Sequence, residues 1–206
     1  MNRLANLNKI GNTISKADIY ENCKINLDYV TAKSATGNTY ETFKVEITTE
    51  DGKSKTFNLM RPSKGFAGDI TVDGVKRKET DKEALMRAED RILQHIVKLV
   101  TLVDGNKIAT IEEESFKGMA KELVEIFKEN NEKYNPTFNV KIVLDKDYTY
   151  TALPNYANGT YELYNESKPS KLFFTKTDRV KKPEDEVAPS ELDNVVPGPS
   201  NDTLPF

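Results

Sequence analysis

The sequence predicts an α+β fold, and three observations carry that expectation. Apolar residues alternate with polar ones from about position 24 to 60, recur at helical spacing from about 80 to 130, and alternate again from about 138 to 177. Period two marks strands and period 3.6 marks helices. The order is therefore three strands, a two-helix insert at about 80–131, and then further strands.

The first strand is expected at about Lys24 to Thr31, with Ile25, Leu27 and Tyr29 on one face. A polar stretch from Ser34 to Thr39 leads to a second at about Tyr40 to Thr49, where Phe43, Val45 and Ile47 alternate. Glu50-Asp51-Gly52-Lys53 is a hairpin signal, since glycine accepts positive φ without a steric penalty. The third strand, about Lys55 to Met60, presents Phe57 and Leu59 and completes an antiparallel meander. Thr80 and Glu83 fit a capping box, and Leu85, Ala88, Ile92, Ile96, Leu99 and Val103 form a helical stripe that ends at Asp104-Gly105-Asn106. A second box, Thr110 with Glu113, opens a helix to about Asn130 whose stripe is Phe116, Met119, Leu123, Ile126 and Phe127. Phe138, Val140, Ile142 and Leu144 then alternate. Asp145-Lys146-Asp147 turns the chain into a strand at Tyr148 to Leu153, a hairpin surrounds Asn158-Gly159, and a last strand is expected at about Lys171 to Thr177.

Past Lys182 the composition changes. All 30 Lys and Arg lie at or before Lys182 and six of the 33 acids follow it, leaving residues 1–182 at +3 and 183–206 at −6. Pro183, Pro189, Pro197, Pro199 and Pro205 punctuate this segment, which has no aromatic before Phe206. Such a sequence buries too little apolar area to offset about 1–2 kcal/mol of ordering entropy per residue, so 183–206 is expected to be a disordered acidic tail. Its end, Asp202 followed by Leu204-Pro205-Phe206, joins an anion to an apolar tip. A terminal ring suits a small apolar pocket on a partner while the carboxylates meet a basic rim.

On these residues the chain resembles the single-stranded DNA-binding proteins of bacteria and phages, whose acidic, Pro-containing tails end in Pro-Phe or another terminal aromatic. The strand–helix–strand order likewise resembles an OB-fold, a five-stranded antiparallel Greek-key barrel, with its helical section enlarged. The resemblance departs at the tip, where Asp202 stands alone and the next acid upstream is Asp193, and in the absence of Trp. It implies an OB-like domain at 1–182 that binds single-stranded DNA and a tail that recruits replication or recombination proteins through Asp202, Leu204, Pro205 and Phe206.

A single strand needs cations for its phosphates and aromatic faces for its bases. Two regions offer both. One is the loop after the third strand, with Arg61, Lys64 and Phe66, followed by Lys76, Arg77 and Lys78. The other is the tyrosine-rich C-terminal sheet, with Tyr148, Tyr150, Tyr156 and Lys176. Lys171, Arg179, Lys181 and Lys182 would extend the second basic path or solubilise the last strand.

One cysteine, Cys23, and one histidine, His95, exclude a disulfide framework and a Cys/His zinc site within the chain. His95 reads as an ordinary helix residue, and no phosphate loop, dinucleotide fingerprint or metal-ligand spacing is present. Neither catalysis, metal nor cofactor is expected. Without a bilayer-length apolar run or a secretory leader, a cytoplasmic location is expected and no membrane partner. A phage virion or assembly accessory protein that binds no nucleic acid is the rival reading, and self-association is left open.

Overall fold

The computed structural model describes residues 13–34, 36–108, 111, 113 and 115–181. Strands β1 (Asp18–Lys33), β2 (Thr39–Thr48) and β3 (Ser54–Met60) form the expected antiparallel meander. Gly52, at φ 79°, makes the β2–β3 turn, closed by a 2.8 Å bond from the Thr49 N–H to the Lys53 carbonyl. A two-stranded hairpin follows, β4 (Asp69–Val72) and β5 (Val75–Lys78). Helices α1 (Asp81–Ile108) and α2 (Phe116–Tyr134) precede β6 (Phe138–Leu144), β7 (Thr151–Ala152) and β8 (Tyr161–Leu163).

Strand β1 organises the sheet. Its second half pairs with β2 and its first half with β6, and the register shifts between Tyr20 and Cys23, where Asn22 sits at φ 51°. An extra residue in one strand bends it and sharpens its twist, so β1 serves two neighbours in turn. The order is β3-β2-β1-β6-β7, with β8 also on β6. The fold is thus α+β with a mostly antiparallel sheet, and the expected closed barrel is not formed among the described residues. The β3 and β7 edges are joined instead through a side chain, since Lys55 Nζ donates to the Thr151 carbonyl (3.0 Å) and hydroxyl (2.6 Å).

The Thr80–Glu83 box forms as expected, each residue's side chain accepting from the other's backbone N–H. Helix α1 departs from helical geometry at Asp104 (φ −159°, ψ 77°), where the sequence predicts its end. The second helix differs from expectation. It begins at Phe116 under a Ser115 cap whose hydroxyl accepts from the Gly118 N–H; Thr110 lies outside the described residues. Its end is closed by Asn135 in the left-handed region, which suits Asn better than most side chains.

The core forms where the inner face of the meander (Ile25, Leu27, Phe43, Val45, Ile47, Phe57) meets Leu93, Ile96, Leu99 and Val100 of α1 and Phe116, Leu123 and Phe127 of α2. Tyr29, Phe43 and Phe116 pack in tilted and edge-on contacts, with centroids 4.9 and 6.2 Å apart along that chain of rings. Cys23 is fully buried there, and burial raises its thiol to about 12.

One expected strand is cut short and another is absent. Tyr148, at φ 54°, interrupts the predicted Tyr148–Leu153 strand, leaving two paired residues. The segment 171–177 forms no strand. It covers β6 as irregular chain, held by a 2.7 Å bond from the Leu144 N–H to the Arg179 carbonyl.

His95 is more than an ordinary helix residue. Only 3% exposed, its Nδ1 lies 3.2 Å from the buried Tyr161 hydroxyl, tying α1 to β8. Burial lowers its pKa to about 4 despite a bond to the Pro154 carbonyl. An unfolded His titrates near 6.5, so the unfolded chain takes up the proton first on acidification. His95 therefore contributes stability that is complete above pH 6.5 and is lost as pH falls toward 4. We expect urea unfolding to show a loss on the order of 2–3 kcal/mol between pH 7 and 4.5, and His95→Gln to flatten that dependence.

Candidate nucleic-acid interface

The loop leaving β3 is built rigidly. Gly65 lies against the first turn of α1, so closely that a Cβ there would come within 2.0 Å of the Ala84 carbonyl carbon. No other residue fits this approach. Beyond it, Arg87 donates to the Phe66 carbonyl (2.8 Å) and forks onto both oxygens of Glu79 (2.7 Å each). Glu79 also accepts from the Gly68 N–H (2.9 Å) while donating its own N–H to the Gly68 carbonyl. The Arg87 guanidinium holds the Glu79 carboxyl below the usual carboxylate range. The loop is thus pinned at 65, 66 and 68, and Phe66, its one exposed aromatic, is 80% exposed with Lys64 Nζ 5.6 Å from the ring centre.

The β4–β5 arm rises from the same base. Asp73 and Gly74 both have positive φ (50° and 81°), the geometry of a tight primed turn that Asp-Gly favours. Cross-strand partners share a face, so the register Thr71↔Lys76 and Asp69↔Lys78 places both lysines on one side, and Ile70↔Arg77 with Val72↔Val75 makes the other. Arg77 binds both oxygens of Glu83 in the first turn of α1 and so anchors the arm. Lys76 and Lys78 remain exposed, without an ion pair among the described residues.

A second aromatic and basic surface lies where β6 turns into β7. Asp145 Oδ1 accepts from the Thr149 and Tyr150 N–H groups (2.8 and 3.2 Å), curling the loop tightly. The curl sets Tyr148 beside Arg179, 6.0 Å from ring centroid to guanidinium, and leaves Tyr150 68% exposed. Lys176 is exposed in a turn closed by Asp178, and Phe173 of the same segment is 68% exposed.

Of the ten body residues that the sequence nominates, the structure sets Lys64 over Phe66 on the loop and Lys76 with Lys78 on one side of the arm that follows it, and sets Tyr148, Tyr150 and Lys176 on the β6–β7 side. Three serve internal contacts. Arg61 bridges Glu41 and Glu89 at 2.7 Å each, its guanidinium 4.7 Å from the Phe116 ring centre. Arg77 is the arm's anchor. Tyr156 donates to Asp178 (2.6 Å) and accepts from Lys141 (2.8 Å). That Lys141–Asp178 pair is nearly sealed, at 1% and 3% side-chain exposure, and Lys141 also donates to the Phe173 carbonyl (3.0 Å). It fastens the C-terminal segment to β6. Burial opposes ionisation of Asp178, but bonds from Tyr156, the Thr175 N–H and Lys141 hold its carboxyl below the usual range.

No family model, curated protein or solved structure matches the chain. The site therefore rests on its own geometry.

The two surfaces lie at opposite ends of β3: its start reaches Thr151 through Lys55, and its end leads into the Phe66 loop. Seven residues at about 3.3 Å each separate them by roughly 20 Å. Sequence reasoning missed Phe173, which it placed in a strand, and gave Arg179 a secondary role. Asp202, Leu204, Pro205 and Phe206 lie outside the described residues. No helix among the described residues is long and apolar enough to cross a membrane, and no cluster of His, Cys, Asp or Glu there could hold a metal ion.

Proposed function

We propose that this chain binds single-stranded nucleic acid, single-stranded DNA in the first instance, and recruits replication or recombination proteins through its C-terminal tip. The observation that carries the reading is Phe66: an exposed aromatic ring on a loop held by a close-packed glycine, an arginine clamp and a buried carboxylate, with Lys64 over the ring and the exposed Lys76 and Lys78 on the arm that follows the loop. Phe66 is the most exposed large apolar side chain among the described residues, at 80%, and its backbone is held on both sides of the ring. Base stacking contributes about 1–3 kcal/mol per base and tolerates any sequence. Tyr148, Tyr150, Arg179 and Lys176 add a second station of the same chemistry.

The strand plan supports an OB-like reading of residues 1–182. A long β1 bends at a bulge to serve two neighbours, and the helices enter between the meander with its β4–β5 hairpin and β6. An isolated parallel bridge, Thr13 with Ser54, ties the segment before β1 to the start of β3, next to the Lys55–Thr151 link. OB-folds bind through the loop after strand one and the loop between strands four and five. In this plan the latter is the β6–β7 turn that carries Tyr148 and Tyr150.

The tail supplies the partner function in this proposal. Its −6 charge competes with phosphate for the basic surfaces and is displaced when a strand binds, which frees Phe206. A gel shift with labelled oligo-dT tests both parts. Full-length protein should shift the single strand and not a duplex of equal length. Deleting 183–206 should raise affinity at low salt and abolish partner recruitment. Unchanged affinity on deletion discards the competition, and no shift at low salt discards nucleic-acid binding in favour of an accessory role.

A further inference from the structure

Between the β6–β7 turn and the C-terminal segment lies a cleft of about 540 Å³. One wall is apolar, formed by Val143, Leu153 and Pro154, and its rim carries Asn155, Lys146 and Arg179. Asn155 is exposed, and its side-chain amide makes no hydrogen bond with a described residue. Arg61, Arg77 and Arg87 are each tied to carboxylates, whereas neither Lys146 nor Arg179 forms a salt bridge among the described residues, although the Asp145 carboxylate, which also lines the cleft, feels the Arg179 charge. Arg179 is nonetheless fixed in place, its carbonyl held by the Leu144 N–H at 2.7 Å and its guanidinium beside Tyr148.

An apolar wall, an unengaged amide that can both donate and accept, and two cations without a salt bridge make a specific combination. It suits a flat heteroaromatic ring with polar edges and an attached phosphate. We infer that this cleft takes one nucleotide, its base against Leu153 and Pro154, its edge at the Asn155 amide and its phosphate at Arg179 and Lys146. Pockets of roughly 300–1,000 Å³ accommodate ligands of this class. A base seated there has left its pairing partner, so the cleft favours single strands over duplex. The inference rests on the proposed strand binding only for the source of the nucleotide, because a free mononucleotide presents the same chemistry.

The test uses full-length, isotope-labelled protein and amide NMR titrations with dTMP, inorganic phosphate and oligo-dT. With dTMP, the amides of Leu153 and Asn155 should shift saturably, whereas phosphate should move only Lys146 and Arg179. Asn155→Trp, at an exposed position, should fill the cleft and weaken dTMP binding about tenfold with an unchanged thermal midpoint. Lys146→Glu should also weaken dTMP binding and serves if the tryptophan variant misfolds. Failure of millimolar dTMP to shift these amides, or shifts no different from those with phosphate, overturns the inference. If oligo-dT binds while the cleft amides stay still, the cleft assignment alone fails. If dTMP binds in the cleft and oligo-dT does not bind the protein, the mononucleotide site stands and strand binding falls.

Discussion

Replacing Phe66 with alanine should weaken oligo-dT binding roughly 5- to 150-fold, the equivalent of the 1–3 kcal/mol that one stacked base contributes. Its thermal midpoint should be unchanged, because the ring is 80% exposed and only its backbone carbonyl contacts Arg87. Phe66→Tyr should bind nearly as well, since the stacking face is kept. Gly65→Ala should also reduce binding even though it leaves the ring in place chemically. A methyl group at 65 meets the Ala84 backbone, so the loop must lift and carry Phe66 away from Lys64. Fluorescence anisotropy measures the affinities and differential scanning calorimetry the stabilities. Equal affinity for wild type and Phe66→Ala removes the arm surface from the account.

Asp178→Ala should have the largest effect on stability, about 3–5 kcal/mol, because it strands the Lys141 ammonium in a site of 1% exposure. Burying a lone charge is more damaging than losing the attraction itself. Asp178 also closes the turn at Thr175 and fixes the Tyr156 hydroxyl, so its loss should release the segment carrying Phe173, Lys176 and Arg179. The double variant Lys141→Met/Asp178→Leu should recover much of the stability, since it removes the charge as well as its partner. Urea unfolding checks both. A single variant as stable as wild type contradicts the proposed role of the pair.

The meander was legible because β1, β2 and β3 each bury one face, which writes period two directly into the sequence. The Thr80–Glu83 cap was legible for a similar reason: both of its members lie within four residues. The second cap was not. Ser115 caps α2 with Gly118 at the third position, while Thr110 and Glu113 fit the expected box better. The β4–β5 arm carried an Asp73-Gly74 turn signal, but its ten residues are largely exposed on both faces and hold too few apolar positions to show a strand period.

Strand β6 erred in the other direction. Asn139 and Lys141 read as its wet face, yet the C-terminal segment covers them and six of its seven residues are buried. Site residues failed where their partners came from elsewhere in the chain. Nothing local to Arg61 marks Glu41 and Glu89 as its carboxylates, 20 and 28 positions away. The same holds for Tyr156 and Asp178. The exposure of Phe66, Lys64, Lys76 and Lys78 was legible because none of them lies on an alternating apolar face.

The most direct measurement is an anisotropy titration of full-length protein with labelled oligo-dT and with duplex of the same length, at low and physiological salt. The account predicts tight binding of the single strand alone, weakening steeply as salt rises because phosphate contacts release counterions. No binding at low salt, or equal binding of duplex and single strand, would contradict it.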